Sequence, residues 1–184
     1  MFNQQQKQVL LTLASDSIKY GLENKQALAI KASDFNSELQ QHLACFVTLH
    51  LAGQLRGCIG SLEAYRPLVN DVVNNAFAAA FSDYRFSPVS TSELSQLTID
   101  ISVLTPAKEM VFTSEADLLQ QIRPEIDGLI LQEGNHRATF LPSVWSQLPN
   151  KQNFLNHLKQ KAGLAADYWS TTIQISRYQT EFIE

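Results

Sequence analysis

The segment ACFVTLHL, residues 44–51, is β-branched and apolar on both faces of an extended chain. A strand of that composition must be covered on both sides, which places it inside a layered fold and not on an open surface. Ala52-Gly53 follows as a two-residue turn signal, and QLRGCIG returns behind it. The pattern predicts an antiparallel hairpin of residues 44–51 with residues 54–59. The returning strand carries Arg56 and Cys58 two residues apart, which simple strand alternation puts on one face. Gly57 and Gly60 remove side chains on either side of the thiol, so that another backbone or a ligand can come close. If Ala52 and Gly53 are the turn residues, Val47 faces Cys58 and Cys45 faces Gly60. The two thiols then lie diagonally on one face, and no structural disulfide is expected.

The hairpin needs layers to cover it, and the chain supplies them. Residues 4–20 show apolar residues at helical spacing, with Gly21 read as the stop. Behind Pro67 comes a helix with two adjoining apolar rows. One row is Leu68, Val72, Ala76 and Ala80, and the other is Val69, Val73, Phe77 and Phe81. LTIDISVL alternates as a half-buried strand. Ser114 caps a short helix, Gly134-Asn135 turns a second hairpin from GLILQE into HRATFL, and Asn150 and Gly163 bracket another helix. Lys159 and Lys161 on that last helix read as solvated charges near its negative end. TTIQISRY is the final expected strand. Helices and strands alternate irregularly, so the expected class is α+β, with a mixed, largely antiparallel sheet and flanking helices.

Composition narrows the function classes. The chain has 184 residues, 45% of them hydrophobic, with a formal net charge of -4. No basic run or basic helix face offers an electrostatic footprint for nucleic acid. No apolar run is long enough to span a membrane. The N-terminal residues are too polar for a signal peptide, so a cytoplasmic location is expected. The two cysteines, Cys45 and Cys58, cannot alone supply a zinc or iron–sulfur site, and the four histidines show no ligand spacing. No dinucleotide, phosphate-loop or hydrolase-elbow motif is present, so no metal or cofactor is expected.

LRGCIGSL, AFAAAFSDYRFSPVS, ISVLTP, DGLIL, ATFLPSVW and FLNHLKQKAGL follow one another in an order that resembles the AMMECR family, in particular its prokaryotic branch, the A proteins of the AmmeMemoRadiSam system. The blocks run from Leu55 to Leu164, and LRGCIG, the family's most recognisable string, is intact. SDYRFSPV departs from the family's usual element at Tyr84 and Ser87, where proline is usual, while Asp83, Arg85, Phe86, Pro88 and Val89 match. The resemblance implies one domain over residues 1–184, built as two lobes with the LRGCIG strand near the cleft between them. It also implies association with a Memo-like protein and a radical-SAM protein. It carries no reaction with it.

Two readings of the site stand side by side. In the first, the chain binds a small molecule, peptide or protein partner in a cleft lined by Arg56, Gly57, Gly60, Asp83 and Arg85. In the second, Cys58 is a nucleophile or redox thiol and Arg56 binds an anionic group. The structural alternative is that Cys58 is a small buried hydrophobe, Arg56 an internal ion pair with Asp83 or Asp100, and Asp83 and Arg85 a local loop tether.

Overall fold

The computed structural model describes residues 1–184 and divides into two compact units, Met1–Leu104 with Glu181–Glu184, and Thr105–Thr180. The α+β expectation holds, with the strands divided between two four-stranded sheets instead of gathered in one.

The first unit opens with helix α1, Gln4–Asn24, started by a capping box in which Asn3 and Gln6 satisfy each other's backbone N–H groups. Gly21 does not stop the helix, which runs on to a left-handed Lys25 at φ 57°. Gly21 instead lets α1 approach helix α2, Leu68–Phe81, because a Cβ there would lie 2.6 Å from the rings of Phe77 and Phe81. Strands β1, Cys45–Leu51, and β2, Gln54–Gly60, form the expected antiparallel hairpin. Both turn residues, Ala52 and Gly53, have positive φ, which suits the twist of a tight hairpin. Strand β3, Leu97–Leu104, pairs antiparallel on the other side of β1. Cys45, Val47 and Leu49 point into the core with Leu68, Val69, Val72, Val73, Ala76 and Ala80 of α2 and the inner stripe of α1. Phe46, Thr48 and His50 on the opposite face are only half-buried, so β1 is fully covered on one face alone.

The register departs from simple alternation. His50 pairs with Leu55 and Leu49 with Gly57, which leaves Arg56 as the extra residue of a bulge. Cys58 therefore faces Thr48 instead of Val47, and Gly60 faces Phe46 instead of Cys45. Cys45 and Cys58 consequently lie on opposite faces of the sheet, and both are free thiols.

The second unit holds strand β4, Lys108–Glu109, helix α3, Glu115–Gln121, and the hairpin of β5, Gly128–Glu133, with β6, His136–Phe140. Helix α4, Lys151–Lys161, and strand β7, Gln174–Tyr178, complete it, and the sheet order is β4-β7-β5-β6. Trp145 stacks on Phe154 at 3.7 Å and donates its indole N–H to the carbonyl of Asp127. Lys159 is not the solvated charge that its type suggested. It lies one turn after Leu155 on the apolar stripe, is fully buried, and donates to Glu115 at 3.1 Å. The chain then returns to the first unit as β8, Thr180–Ile183, which extends that sheet to the order β2-β1-β3-β8. No helix is long and apolar enough to cross a membrane.

Candidate functional site

β2 is an edge strand, and edge strands carry unpaired backbone groups. At Cys58 those groups are closed by side chains. The N–H of Cys58 donates to Asp83 Oδ2 at 2.9 Å, and its carbonyl accepts from Arg85 Nη2 at 3.3 Å. Asp83 and Arg85 bind each other through Nη2–Oδ2 at 2.6 Å and Nε–Oδ1 at 2.9 Å. The carboxylate and guanidinium together complete a ring of hydrogen bonds on the backbone N–H and carbonyl of one residue, as a neighbouring strand would.

Local sequence explains how this clasp arises. Helix α2 ends at Ser82, so Asp83 is the first residue free to turn away, and Phe86 N–H bonds back to its carbonyl at 3.0 Å. Val89 then buries its side chain and donates its N–H to Ala80 at 2.8 Å, which pins the far side of the turn to the helix. Asp83 is almost wholly buried. The Arg85 guanidinium, with the N–H groups of Cys58 and Arg85 behind it, holds the Asp83 carboxyl well below the usual carboxylate range, against the opposing pull of burial. Tyr84, between the two clasp residues, is 95% exposed.

Arg56 makes the second fastening. Its Nε meets Glu93 Oε1 at 2.7 Å and its Nη2 meets Oε2 at 3.2 Å, with the Pro88 carbonyl at 3.4 Å. Glu93 also accepts from the N–H and hydroxyl of Ser90 at 2.8 and 2.9 Å. Arg56 first, and Ser90 second, hold the Glu93 carboxyl down at about 2. The partner of Arg56 is thus neither Asp83 nor Asp100. The signal that could have pointed to Glu93 is the Ser90-x-x-Glu93 spacing, a capping pattern that orders this carboxylate beside the short helical turn Leu94–Gln96.

The structure brings Cys58, Asp83 and Arg85 together and sends Arg56 elsewhere. The bulge removes the parity that would have joined Arg56 to the thiol, and the guanidinium next to Cys58 belongs to Arg85. The thiol is half-buried and accepts from Thr48 Oγ1 at 3.3 Å. On β1 and β3, Thr48 stands between Cys58 and Asp100 in register, and His50 Nδ1 lies 3.1 Å from Asp100 Oδ2. Neither glycine opens space. A Cβ on Gly57 would overlap the Ala79 carbonyl of α2, and one on Gly60 would overlap the Cys45 carbonyl and the Phe46 ring. Cys45 belongs to a different group on the core face. Its N–H donates to Asp71 at 3.0 Å, Arg66 and Asn75 bind the same carboxylate, and burial followed by the Asp71 charge pushes its thiol pKa up.

The model of the AMMECR1 family matches residues 11–183. A protein of Methanothermobacter thermautotrophicus is 34% identical over 174 residues, covering 94% of this chain and 90% of its own. A protein of Methanopyrus kandleri is 32% identical over 184 residues, covering 95% and 86%. The crystal structure of an uncharacterised protein from Pyrococcus horikoshii superposes with a TM-score of 0.88 at 29% identity, over 98% of this chain and 92% of that one.

Proposed function

The chain belongs to the AMMECR1 family, and from that premise we propose that it is a non-catalytic binding component whose recognition surface is the loop of residues 82–96 clasped to the LRGCIG strand. The proposed partner is a protein, with a Memo-like and a radical-SAM protein as those that the resemblance names, and the proposed setting is the cytoplasm. One observation carries this reading. Asp83 and Arg85 hold the strand edge while the residue between them, Tyr84, stands 95% exposed. An aromatic ring on a loop already fastened at both ends loses little conformational freedom on binding, which is the property of an interface anchor. Arg56 and Glu93 serve the same end by fixing the far half of the loop.

Co-expression with a Memo-like protein and pull-down tests this reading. Wild type is expected to capture the partner. Tyr84→Ala is expected to weaken capture by roughly thirtyfold, the loss that accompanies truncation of an anchor worth about 2 kcal/mol. Its melting temperature should stay unchanged, because the ring touches solvent. No capture by wild type, or equal capture by the variant, overturns the proposal.

A second reading keeps Cys58 as a nucleophile, and a specific arrangement favours it. Cys58, Thr48, His50 and Asp100 share one sheet face, and the imidazole is already oriented by a carboxylate. His50 is diagonal to Cys58, about 7–8 Å away by strand geometry, so a base role requires the ring to swing from Asp100. An anion-binding role for Arg56 in this reading requires displacing Glu93. Iodoacetamide labelling separates the two readings. Rapid alkylation of Cys58 that slows in His50→Ala supports the enzyme, and labelling as slow as that of Cys45 removes its nucleophile.

A further inference from the structure

We propose that the second unit carries an anion-binding pocket, independent of the LRGCIG strand, that takes a small phosphate-bearing ligand between Lys108 and Arg177. In the β4–β7 pairing, Lys108 and Arg177 are direct cross-strand partners. Like charges placed opposite each other on a ladder repel and destabilise it. Neither side chain has an ion-pair partner or a side-chain hydrogen bond within the protein.

Burial sharpens the case. Arg177 is half-buried, and its register partner on the other neighbouring strand is Leu129, which is fully buried. Its stem therefore continues the core face of the sheet and delivers an unpaired guanidinium to the rim of the core. The two cations open into a cavity of about 580 Å³ that is also lined by Thr105, Arg123, Tyr178 and Gln179. That volume suits a small metabolite.

The remaining lining groups favour an anion. Three cations line the cavity against one carboxylate, Asp127, which is fully buried and bound by Arg123 through Nε and Nη2. Two positive charges are left over in a chain whose net charge is -4. The Arg123 side chain is 46% exposed, so its outer edge remains available. Thr105 Oγ1 accepts the N–H of Gln179 at 2.9 Å, which leaves the hydroxyl proton to donate. A guanidinium fork, an ammonium and a hydroxyl donor around one small cavity match the oxygens of a phosphate dianion. Such a ligand would turn the Lys108–Arg177 repulsion into two attractions.

Calorimetric titration of the full chain with inorganic phosphate, at ionic strength held constant with sodium chloride, tests the proposal. Wild type is expected to bind one phosphate saturably. Arg177→Gln is expected to weaken it at least tenfold and Lys108→Gln severalfold, whereas Lys31→Gln, on the first unit, leaves it unchanged. Ribose 5-phosphate in a parallel titration, with ribose as the neutral control, distinguishes the sources. Tighter binding than phosphate points to an organic phosphomonoester, and equal binding points to the inorganic anion. Without ligand, Arg177→Gln is expected to melt at or above the wild-type temperature, because it removes a repulsion. The proposal fails if wild type shows no saturable binding, or if Lys31→Gln weakens it as much as Arg177→Gln does. It also fails if Arg177→Gln lowers the melting temperature of the free protein, which would make the arginine a structural residue.

Discussion

Arg56 and Arg85 beside strand β2 differ from Lys108 and Arg177 on the β4–β7 ladder in what faces them. Each of the first two meets a carboxylate through two nitrogens; Asp83 also accepts two backbone N–H groups and Glu93 accepts one. The second two face each other with no carboxylate between them. A guanidinium whose donors are already directed at a carboxylate and a carbonyl fastens chain segments, and few of its N–H groups remain for a ligand. Two cations held together by a strand register lack that compensation, and a ligand anion can supply it. The comparison teaches that an arginine in a recognisable motif is not for that reason the arginine that binds. What decides is whether its charge is already matched.

The strongest way to break the β2 arrangement is Gly57→Val. The obstructing atom is the Ala79 carbonyl oxygen of a packed helix, which has no rotamer to turn away. Overpacking typically costs 1–3 kcal/mol, and the loss here is expected to reach about 3 kcal/mol or more, read as a lower urea midpoint. An unchanged midpoint would mean that α2 does not press on β2 at this point.

Asp83→Ala comes next. It strands the Cys58 N–H and the inner side of Arg85, at about 1–3 kcal/mol for an unpaired buried donor. Urea unfolding should detect that loss, while neutralising Arg177 should produce none. Equal losses at the two positions would erase the contrast between matched and unmatched cations.

The smallest effect is a pH dependence. Glu93 and Asp83 both titrate below the ordinary carboxylate range, Glu93 at about 2. Their contribution is therefore complete above the unfolded value of about 4 and is lost as pH falls through the folded values. Urea midpoints should fall below pH 4, and Glu93→Gln should flatten that slope without reversing it. A wild-type slope retained in the variant would show that Glu93 is not among the groups responsible.

Much of the fold is legible from near neighbours. The β1–β2 hairpin, the two rows of α2, the Ser114 and Asn150 caps and the Gly134 turn all follow from residues a few positions apart. The misreadings have longer reach. Gly21 looks like a helix stop until the rings of Phe77 and Phe81 are packed against it. Lys159 looks solvated until Glu115, 44 positions away in sequence, comes to meet it. β8 is a short segment after a strand, and only the exposed side of β3 makes it a strand as well.

At the candidate site, the order of residues along the chain is enough to place Arg56, Cys58, Asp83 and Arg85 on one short hairpin strand and the loop behind a core helix. Those are matters of local periodicity, capping and turn chemistry. The partner of Arg56, and the backbone groups that the Asp83–Arg85 pair closes, follow from packing in space. One extra residue at Arg56 rotates the strand's pattern; Glu93 lies 37 positions from Arg56, and Asp83 lies 25 positions from the Cys58 N–H it accepts, both brought close by packing of α2 on the sheet. Asp83 and Arg85 are two residues apart and pair within their own turn, but ion pairing is indifferent to distance along the chain, so the match of Arg56 to Glu93, and the seating of the Asp83–Arg85 pair on the Cys58 backbone, exist only once the core has closed.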